Sequence, residues 1–250
     1  MEFLEFNDMN SLPPEGIVLN LVTPAIGYML LAGLSYIIFY VLLQKKLEKK
    51  KIQKSRPGKL TIQREFLLSL RTLIIYFFGG VIVVLLVDLG YTKMYMNVDE
   101  MGYAYLFLSI IATVIIHDTH FYWIHRLMHS PRIYKWTHGT HHNYHNPTPW
   151  SSFTFAPVEA LLQFSIIPLL LFLIPLHWIS LVAFLIIMVG FNVLGHLGNE
   201  LFSPRFKSSW VGRWLNTSTH HNLHHSGVRG NYGLYFIFWD RWMKTEKLTS

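Results

Sequence analysis

The sequence predicts an all-α integral membrane protein of about four to five transmembrane or membrane-embedded helices, with a histidine-rich helical cap on the cytoplasmic side. Three observations lead there. Of its 250 residues, 52% are hydrophobic and only 14% charged, against about 25% charged in a soluble domain. Apolar runs long enough to cross a bilayer recur along the chain. Fourteen histidines gather in a few tight groups at the ends of those runs. There is no cysteine, which excludes disulfides, thiolate nucleophiles and cysteine-held zinc or iron–sulfur sites. Any metal must be held by imidazole and oxygen.

A bilayer-crossing helix needs about 20 apolar residues. Residues 17–43, 66–87 and 103–124 qualify, and 158–175 with 178–195 form a tight hairpin that need not span fully, around the turn Pro175-Leu176-His177. Arg71 sits near the basic end of the second span, where it can snorkel to the surface. The net charge is +7, yet no Lys or Arg precedes Lys45, and residues 45–64 hold nine of the 21 basic residues. A basic loop between apolar spans is read as a positive-inside loop ahead of a nucleic-acid contact. If it is cytoplasmic, span two leaves and span three returns, so the first histidine groups emerge on the cytoplasmic side. The hairpin then leaves and returns, delivering His196 and the C-terminal histidines to the same side. The acidic start, residues 1–10, lacks the basic region of a cleaved signal peptide. The whole is expected to be one membrane domain, with N-terminal membrane helices over 1–102 and the histidine-bearing region over 103–250.

Helical neighbours lie three and four residues apart. His125 and His129 are spaced i, i+4. His138, His141 and His142 are spaced i, i+3, i+4, and His221, His224 and His225 repeat that triplet. Such groups can converge imidazoles on a metal. Without metal they would repel on protonation, or leave ring nitrogens unpaired when buried. Eight histidines exceed what one tetrahedral ion takes, so two metals fit better. His196 is a plausible ninth ligand. His117, His120, His145 and His220 fit the shared faces less well, and His177 falls at the outer tip of the hairpin. Asp118 and Tyr122 share a helical face with His125 and His129, and Asp118 could orient a ligand imidazole by accepting its free N–H. Glu159 and Asp240 read as either acceptors of that kind or helix-end residues. The aromatic runs 121–123 and 235–239 read as core or interfacial residues ahead of a substrate slot. Spacing does not name the metal, because imidazole suits iron, zinc and copper.

The order HX3H, HX2HH, HX2HH resembles the fatty acid hydroxylase/sterol desaturase superfamily of membrane di-iron oxygenases. The surroundings sharpen the resemblance: HRLMHSPRIYKWTHGTHH over 125–142, NPTPWSSFTFAPVEALLQ over 146–163, and HHSGVRGNYGLYFIFWDRW over 224–242 are similar to segments of C-5 sterol desaturase-like members. The resemblance implies that His125, His129, His138, His141, His142, His221, His224 and His225 are iron ligands, with His196 matching a further histidine of the pattern. Glu200 stands where some hydroxylases carry another histidine. It further implies two Fe ions, O2 as co-substrate, hydroxylation or desaturation of a sterol-like or fatty acyl lipid, and a separate electron donor. That donor would be a small haem or iron–sulfur carrier with an NAD(P)H reductase. The competing reading is a histidine-rich metal transporter. It would place ionisable ligands near the bilayer midplane, whereas here they lie at one edge of the spans. No nucleic-acid partner is expected, and membrane lipids surround the chain.

Overall fold

The computed structural model describes residues 14–53, 55–227 and 229–247; the acidic N-terminal stretch lies outside them. Helices dominate, and four are long and apolar enough to cross a membrane: Leu21–Leu42, Lys59–Asp88, Gly102–Met128 and Trp178–Gly195. The first begins as α1 (Pro14–Tyr36) and continues through a π-helical turn, Ile37–Leu42. The others are α2 (Lys59–Asp88), α3 (Gly102–Met128) and α8 (Trp178–Gly195). Between α3 and α8 lie α4 (Tyr134–Thr137), α5 (Gly139–His142), α6 (Pro157–Phe164) and α7 (Ile166–Leu173). After α8 come α9 (Pro204–Lys207), α10 (Ser218–Gly227) and α11 (Phe238–Trp242). The protein is an integral membrane protein, as its composition predicts.

The first arm of the expected hairpin, 158–175, is not a spanning helix. It is two eight-residue helices, α6 and α7, meeting at Ser165. Pro168 has no N–H to donate to the carbonyl of Phe164, which interrupts the ladder there. Pro157–Leu173 is the shorter apolar stretch of the chain, and at 1.5 Å per residue it falls short of the ~30 Å hydrocarbon core. These two helices instead pack inside the bundle. Ile166, Ile167, Leu170 and Leu171 join Val87, Leu176 and Phe184 in one apolar cluster. A second cluster, Tyr28, Leu73, Phe153, Phe155, Ala160 and Val193, joins α1, α2 and α8 to the segment 149–160.

At one end of the bundle, β1 (Met94–Tyr95) pairs in parallel with β2 (Leu176–His177). His177 is buried there, accepting from the N–H of Ile179 through Nδ1 at 3.2 Å as the N-cap of α8. The opposite end carries the histidine groups. The basic loop docks on it: Ile52 N–H donates to Gly198 O at 3.1 Å, and Glu200 N–H to Lys50 O at 2.8 Å. Gln53 Nε2 donates to Pro147 O at 2.7 Å, and Arg56 to Asn199 Oδ1 at 3.0 Å. Arg71 does not snorkel outward; its guanidinium donates inward to Phe155 O at 2.5 Å, because the turn 149–155 leaves carbonyls to satisfy beside α2. The same turn is tied down by Tyr28 and Ser69, both on Trp150 O, and by Glu65, which is buried and accepts from Thr148 Oγ1 at 2.5 Å.

Candidate metal centre

Nine imidazoles converge at this polar end in two sets. His125, His129, His138, His142 and His224 form one; His141, His196, His221 and His225 form the other. Within each set the candidate ligand atoms lie within 4.8 Å of one another. These are the nine histidines that spacing and resemblance single out, but each HX2HH triplet is split between the sets. At 100° per residue, i+4 lies about 40° from i around a helix, whereas i+3 lies about 60° to the other side. His138 and His142 therefore enter one set while His141 turns to the other. His221 and His225 stay together while His224 crosses over. The two triplets interlock: His142 Nε2 is 2.9 Å from His224 Nε2, and the His141 and His225 ring centroids are 4.7 Å apart.

Four pieces of backbone deliver the rings. The last turn of α3 carries His125 and, at its C-cap, His129. His138 caps α5, which carries His141 and His142. His196 caps the C-terminus of α8. α10 carries the last three, its start tied to α8 by Ser218 Oγ donating to Leu194 O at 2.6 Å. Gly195 keeps that junction close: a Cβ there would lie 3.3 Å from the His221 ring, which would have to give by a few tenths of an ångström.

The Nδ1 side of most rings is already used. His125 Nδ1 donates to Tyr232 O at 2.9 Å, His224 Nδ1 to Gly230 O at 2.7 Å, and His196 Nδ1 to Asn192 O at 2.7 Å. His138 Nδ1 meets Glu159 Oε1 at 2.5 Å, and His141 Nδ1 meets Thr154 Oγ1 at 3.3 Å. A carbonyl can only accept, so it fixes the tautomer with the proton on Nδ1 and leaves Nε2 a lone pair. Gly230 sits at φ +95°, and a Cβ there would run into Thr245 O, so glycine is what lets its carbonyl reach His224.

The Nε2 atoms then face each other. His125 and His138 stand 2.9 Å apart; His196 stands 3.2 Å from both His141 and His221, and His225 stands 3.2 Å from His221. Metal–imidazole bonds are about 2.1 Å, and two such bonds at a right angle put their nitrogens about 3.0 Å apart. The spacing is thus that of neighbouring ligands on one ion, and the two sets could each hold a metal ion. Burial also keeps the rings in the ligand form. It pushes His196 and His224 down to about 4 and holds His138, His141, His221 and His225 well below the ordinary imidazole value.

The remaining expectations resolve differently. Asp118 does not accept from a ligand imidazole. Its Oδ1 accepts the backbone N–H groups of Tyr235, at 2.8 Å, and Phe236, at 3.3 Å, because the 232–236 segment lies between it and the histidines. Tyr122 bonds Thr245 and Arg126 through its hydroxyl, not a ring nitrogen. His117 bonds the Tyr235 hydroxyl, His120 bonds Ser165, and His220 bonds Thr217. His145 reaches His225 O at 3.4 Å, and Glu200 accepts from Thr219; none of these belongs to either set. Asp240 accepts from Tyr232 N–H and Gly233 N–H, at 2.9 Å each, and from Thr245 Oγ1 at 2.7 Å. It thereby holds the turn whose carbonyl receives His125. Of the groups meeting ligand Nδ1 atoms, Glu159 was legible as a carboxylate opening an apolar run; the carbonyls of Tyr232, Gly230 and Asn192 carry no sequence signal. The aromatic runs pack largely as core, with Phe121 clustered with Leu234 and Tyr235 and Tyr122 stacked on Trp239, while Trp123 is exposed.

Comparison with known proteins agrees with this geometry. No solved structure matches. A Delta(7)-sterol 5(6)-desaturase of Gibberella zeae is 35% identical over 63% of this chain and 47% of its own length. Lathosterol oxidase of Rattus norvegicus is 31% identical over 72% of this chain and 59% of its own length. Lathosterol oxidase of Homo sapiens is 31% identical over 86% of this chain and 68% of its own length. The chain thus spans about half the length of the first of these relatives. The fatty acid hydroxylase family pattern matches residues 110–245, a stretch that contains all nine converging histidines and more than half of the sequence. The chain belongs to the fatty acid hydroxylase family.

Proposed function

We propose that this protein is a membrane-bound di-iron oxygenase that uses O2 and two electrons to hydroxylate or desaturate a lipid, sterol-like or fatty acyl. The observation that carries it is the pair of interlocked imidazole sets at one end of a bundle of membrane-crossing helices. His125, His129, His138, His142 and His224 would hold one iron; His141, His196, His221 and His225 would hold the other. When bound, the iron pair supplies the oxidant that removes hydrogen from an unactivated C–H bond.

The rest is the work of the chain. Tyr232 O, Gly230 O, Asn192 O and Glu159 hold protons on Nδ1 of four rings and so present Nε2 inward. Asp118 and Asp240 grip successive amides of 232–236 and hold that segment against the first set; they act as positioning residues. Burial of the rings keeps bulk water from the centre.

The substrate class follows the names of the relatives, sterol desaturases and lathosterol oxidases, and the membrane setting. The basic loop docks beside the histidines, and under the positive-inside rule that supports a cytoplasmic placement of the centre. There a separate carrier, haem or iron–sulfur, fed by an NAD(P)H reductase, can deliver electrons. The spans of 1–102 and the histidine-bearing region of 103–250 work as one membrane domain. A metal transporter is disfavoured, because the ligands cluster at helix ends and caps instead of along the spans' middles.

Two measurements test the reading. Purified protein should carry close to two iron ions per chain. Lipids of an expressing strain should show, by mass spectrometry, a gain of one oxygen or a loss of two hydrogens. A protein with no affinity for metal, or lipids unchanged by the loaded enzyme with its electron supply, would refute it.

A further inference from the structure

The nine candidate ligands are not equally enclosed. Eight are buried; His129 alone is half-buried, so the five-histidine set reaches the surface at that ring. Tyr134, also half-buried, packs over it. Its ring centroid lies 5.4 Å from that of His129 and 5.9 Å from that of His142, another member of the same set. The turn after His129 causes the exposure. Ser130 O accepts from Ile133 N–H at 3.1 Å and from Tyr134 N–H at 2.9 Å, which reverses the chain, and α4 is one short turn of helix. Tyr134 and Thr137 face inward, so Lys135 and Trp136, between them, face outward. Trp136 is 75% exposed, and Pro131, Arg132 and Lys135 are exposed beside it. Arg229, also exposed, precedes Gly230, whose carbonyl receives His224; the His224 and His129 ring centroids are 4.7 Å apart.

This rim carries one sign of charge. No Asp or Glu occurs from Thr119 to Val158, where three basic residues stand, or from Leu201 to Trp239, where four do. The Lys and Arg ion pairs among the described residues are Lys51–Glu48, Lys207–Glu200 and Arg241–Glu246, so Arg132, Lys135 and Arg229 keep their charge for another partner. A surface of one sign steers partners of the other, and an exposed Trp beside Arg has the composition of an interface anchor. What the rim leads to narrows the partner further. Behind it lie a ligand ring and a tyrosine in contact with two ligand rings. Such a contact passes electrons over a short distance without any opening for a molecule.

We infer that Arg132, Lys135, Trp136 and Arg229 form the docking surface for an acidic electron-carrier protein, and that electrons enter the centre at the five-histidine set. The inference rests on the proposed function for the use made of those electrons, but not for the docking.

Full-length protein in phosphatidylcholine nanodiscs tests it, with two probes that share one haem fold and differ in charge: cytochrome c, which is basic, and its succinylated, acidic form. The protein, iron-loaded or metal-stripped, should bind the acidic probe about tenfold more tightly than the basic one, with the preference fading as salt is raised. Arg132→Glu with Lys135→Glu should weaken that binding about tenfold, whereas Arg205→Glu with Arg213→Glu, also exposed cations, should change it by less than about twofold. For electron passage, iron-loaded protein is reduced with dithionite, freed of excess reductant without air, and mixed with the ferric acidic probe. Each transfer moves one electron from ferrous iron to ferric haem, leaving ferric iron and ferrous haem, and is read from the haem absorbance. Arg132→Glu with Lys135→Glu should slow it about tenfold at low probe concentration and little at saturation. Iron per chain should match the wild type in both pairs of substitutions; should either lose iron, binding by the metal-stripped chain decides the docking. Equal binding of the two probes, equal losses from both pairs of substitutions, or no haem reduction by reduced, iron-replete protein that binds the probe would overturn the inference. So would quenching by brominated phosphatidylcholine that disappears in Trp136→Phe, since it would place that face in the bilayer. Docking as expected on a chain that takes up no iron would support the surface while refuting the oxygenase reading.

Discussion

Glu159 gives the sharpest test of the two-set arrangement. It is fully buried, and its Oε1 lies 2.5 Å from His138 Nδ1. His138 belongs to the five-histidine set only. Glu159→Ala leaves the ring N–H buried without an acceptor and frees the imidazole to turn. A buried donor left without its acceptor costs about 1–3 kcal/mol, which at about 1.4 kcal/mol per decade is roughly a 5- to 150-fold loss of affinity for one ion. Removal of groups that orient metal ligands costs a similar 10- to 100-fold. Glu159→Gln keeps an acceptor oxygen and should lose less. The assay is competition of the purified protein against a graded series of chelators, with iron counted per chain. The wild type should lose its two ions at high chelator strength. Glu159→Ala should show a plateau near one ion over one to two decades of chelator strength, and Glu159→Gln a narrower one. Loss of both ions together, or none at wild-type strength, would refute the assignment of His138 and Glu159 to a separate set.

Sequence neighbours should behave as members of different sets. His142→Ala should release the ion of the five-histidine set and His141→Ala that of the four-histidine set, so the two single-ion species should differ in their Mössbauer or EPR spectra; identical spectra would sink the split. Asp240→Ala removes the acceptor of two backbone amides and of Thr245 Oγ1, each loss costing about 1–3 kcal/mol where the donor stays buried. It should lower the thermal midpoint by several degrees and weaken iron retention with it, whereas Asp240→Asn, which keeps one acceptor oxygen, should do less. For chelator-stripped protein, His196 and His224 stay neutral in the fold down to about 4, while the unfolded chain takes up protons below about 6.5. The contribution of these two imidazoles should therefore be constant above pH 7 and fall as pH drops from about 6.5 toward 4, by up to about 1.4 kcal/mol per pH unit for each group. His138, His141, His221 and His225 shift the same way and outnumber the buried carboxyls of Glu159 and Asp240, whose raised values act oppositely; a melting temperature unchanged between pH 7 and pH 5 would contradict this.

What the sequence made legible follows from which forces act locally. Spans such as Trp178–Gly195 are legible because a bilayer demands length and apolarity from each helix by itself. The nine histidines are legible because helical spacing within each group is local. The partition between two ions is less so: it needs the relative placement of α5 and α10, although the 100° step per residue already separates i+3 from i+4. The failure of 158–175 to span turned on Pro168, a signal available but outweighed by hydropathy. The Asp118 expectation failed for a different reason. A shared helical face says which residues are near one another, not what lies between them, and the backbone of 232–236, more than a hundred residues later, takes that carboxylate. Arg71 was misread in the same way, since its acceptor, Phe155 O, belongs to a turn that no local pattern places beside α2.

The charge balance of the centre ties these pieces together. Neutral imidazoles bring no charge, so two divalent ions would introduce four positive charges into a buried site. Among the carboxylates hydrogen-bonded to a candidate ligand, the described residues offer Glu159 alone. Asp118 and Asp240 stand one layer out, their oxygens committed to the amides of Tyr232, Gly233, Tyr235 and Phe236. A ligand shell of carboxylates would neutralise its ions and favour a resting state that needs nothing further. A shell of imidazoles leaves positive charge that anionic ligands from outside the chain must meet, which favours electron uptake and binding of small anions at the open positions. Burial raises the Glu159 carboxyl well above the usual carboxylate range; a cation held on His138 would draw it back to the anion and partly neutralise the five-histidine set, while no carboxylate among the described residues is hydrogen-bonded to a ring of the four-histidine set. The electrophilic demand is therefore greatest on the four-histidine side. The asymmetry predicts that azide, added to iron-loaded protein, binds first at the four-histidine ion. Glu159→Gln, which removes the neutralising carboxyl from the five-histidine set, should weaken that preference. Azide binding first at the five-histidine ion would contradict the charge argument directly.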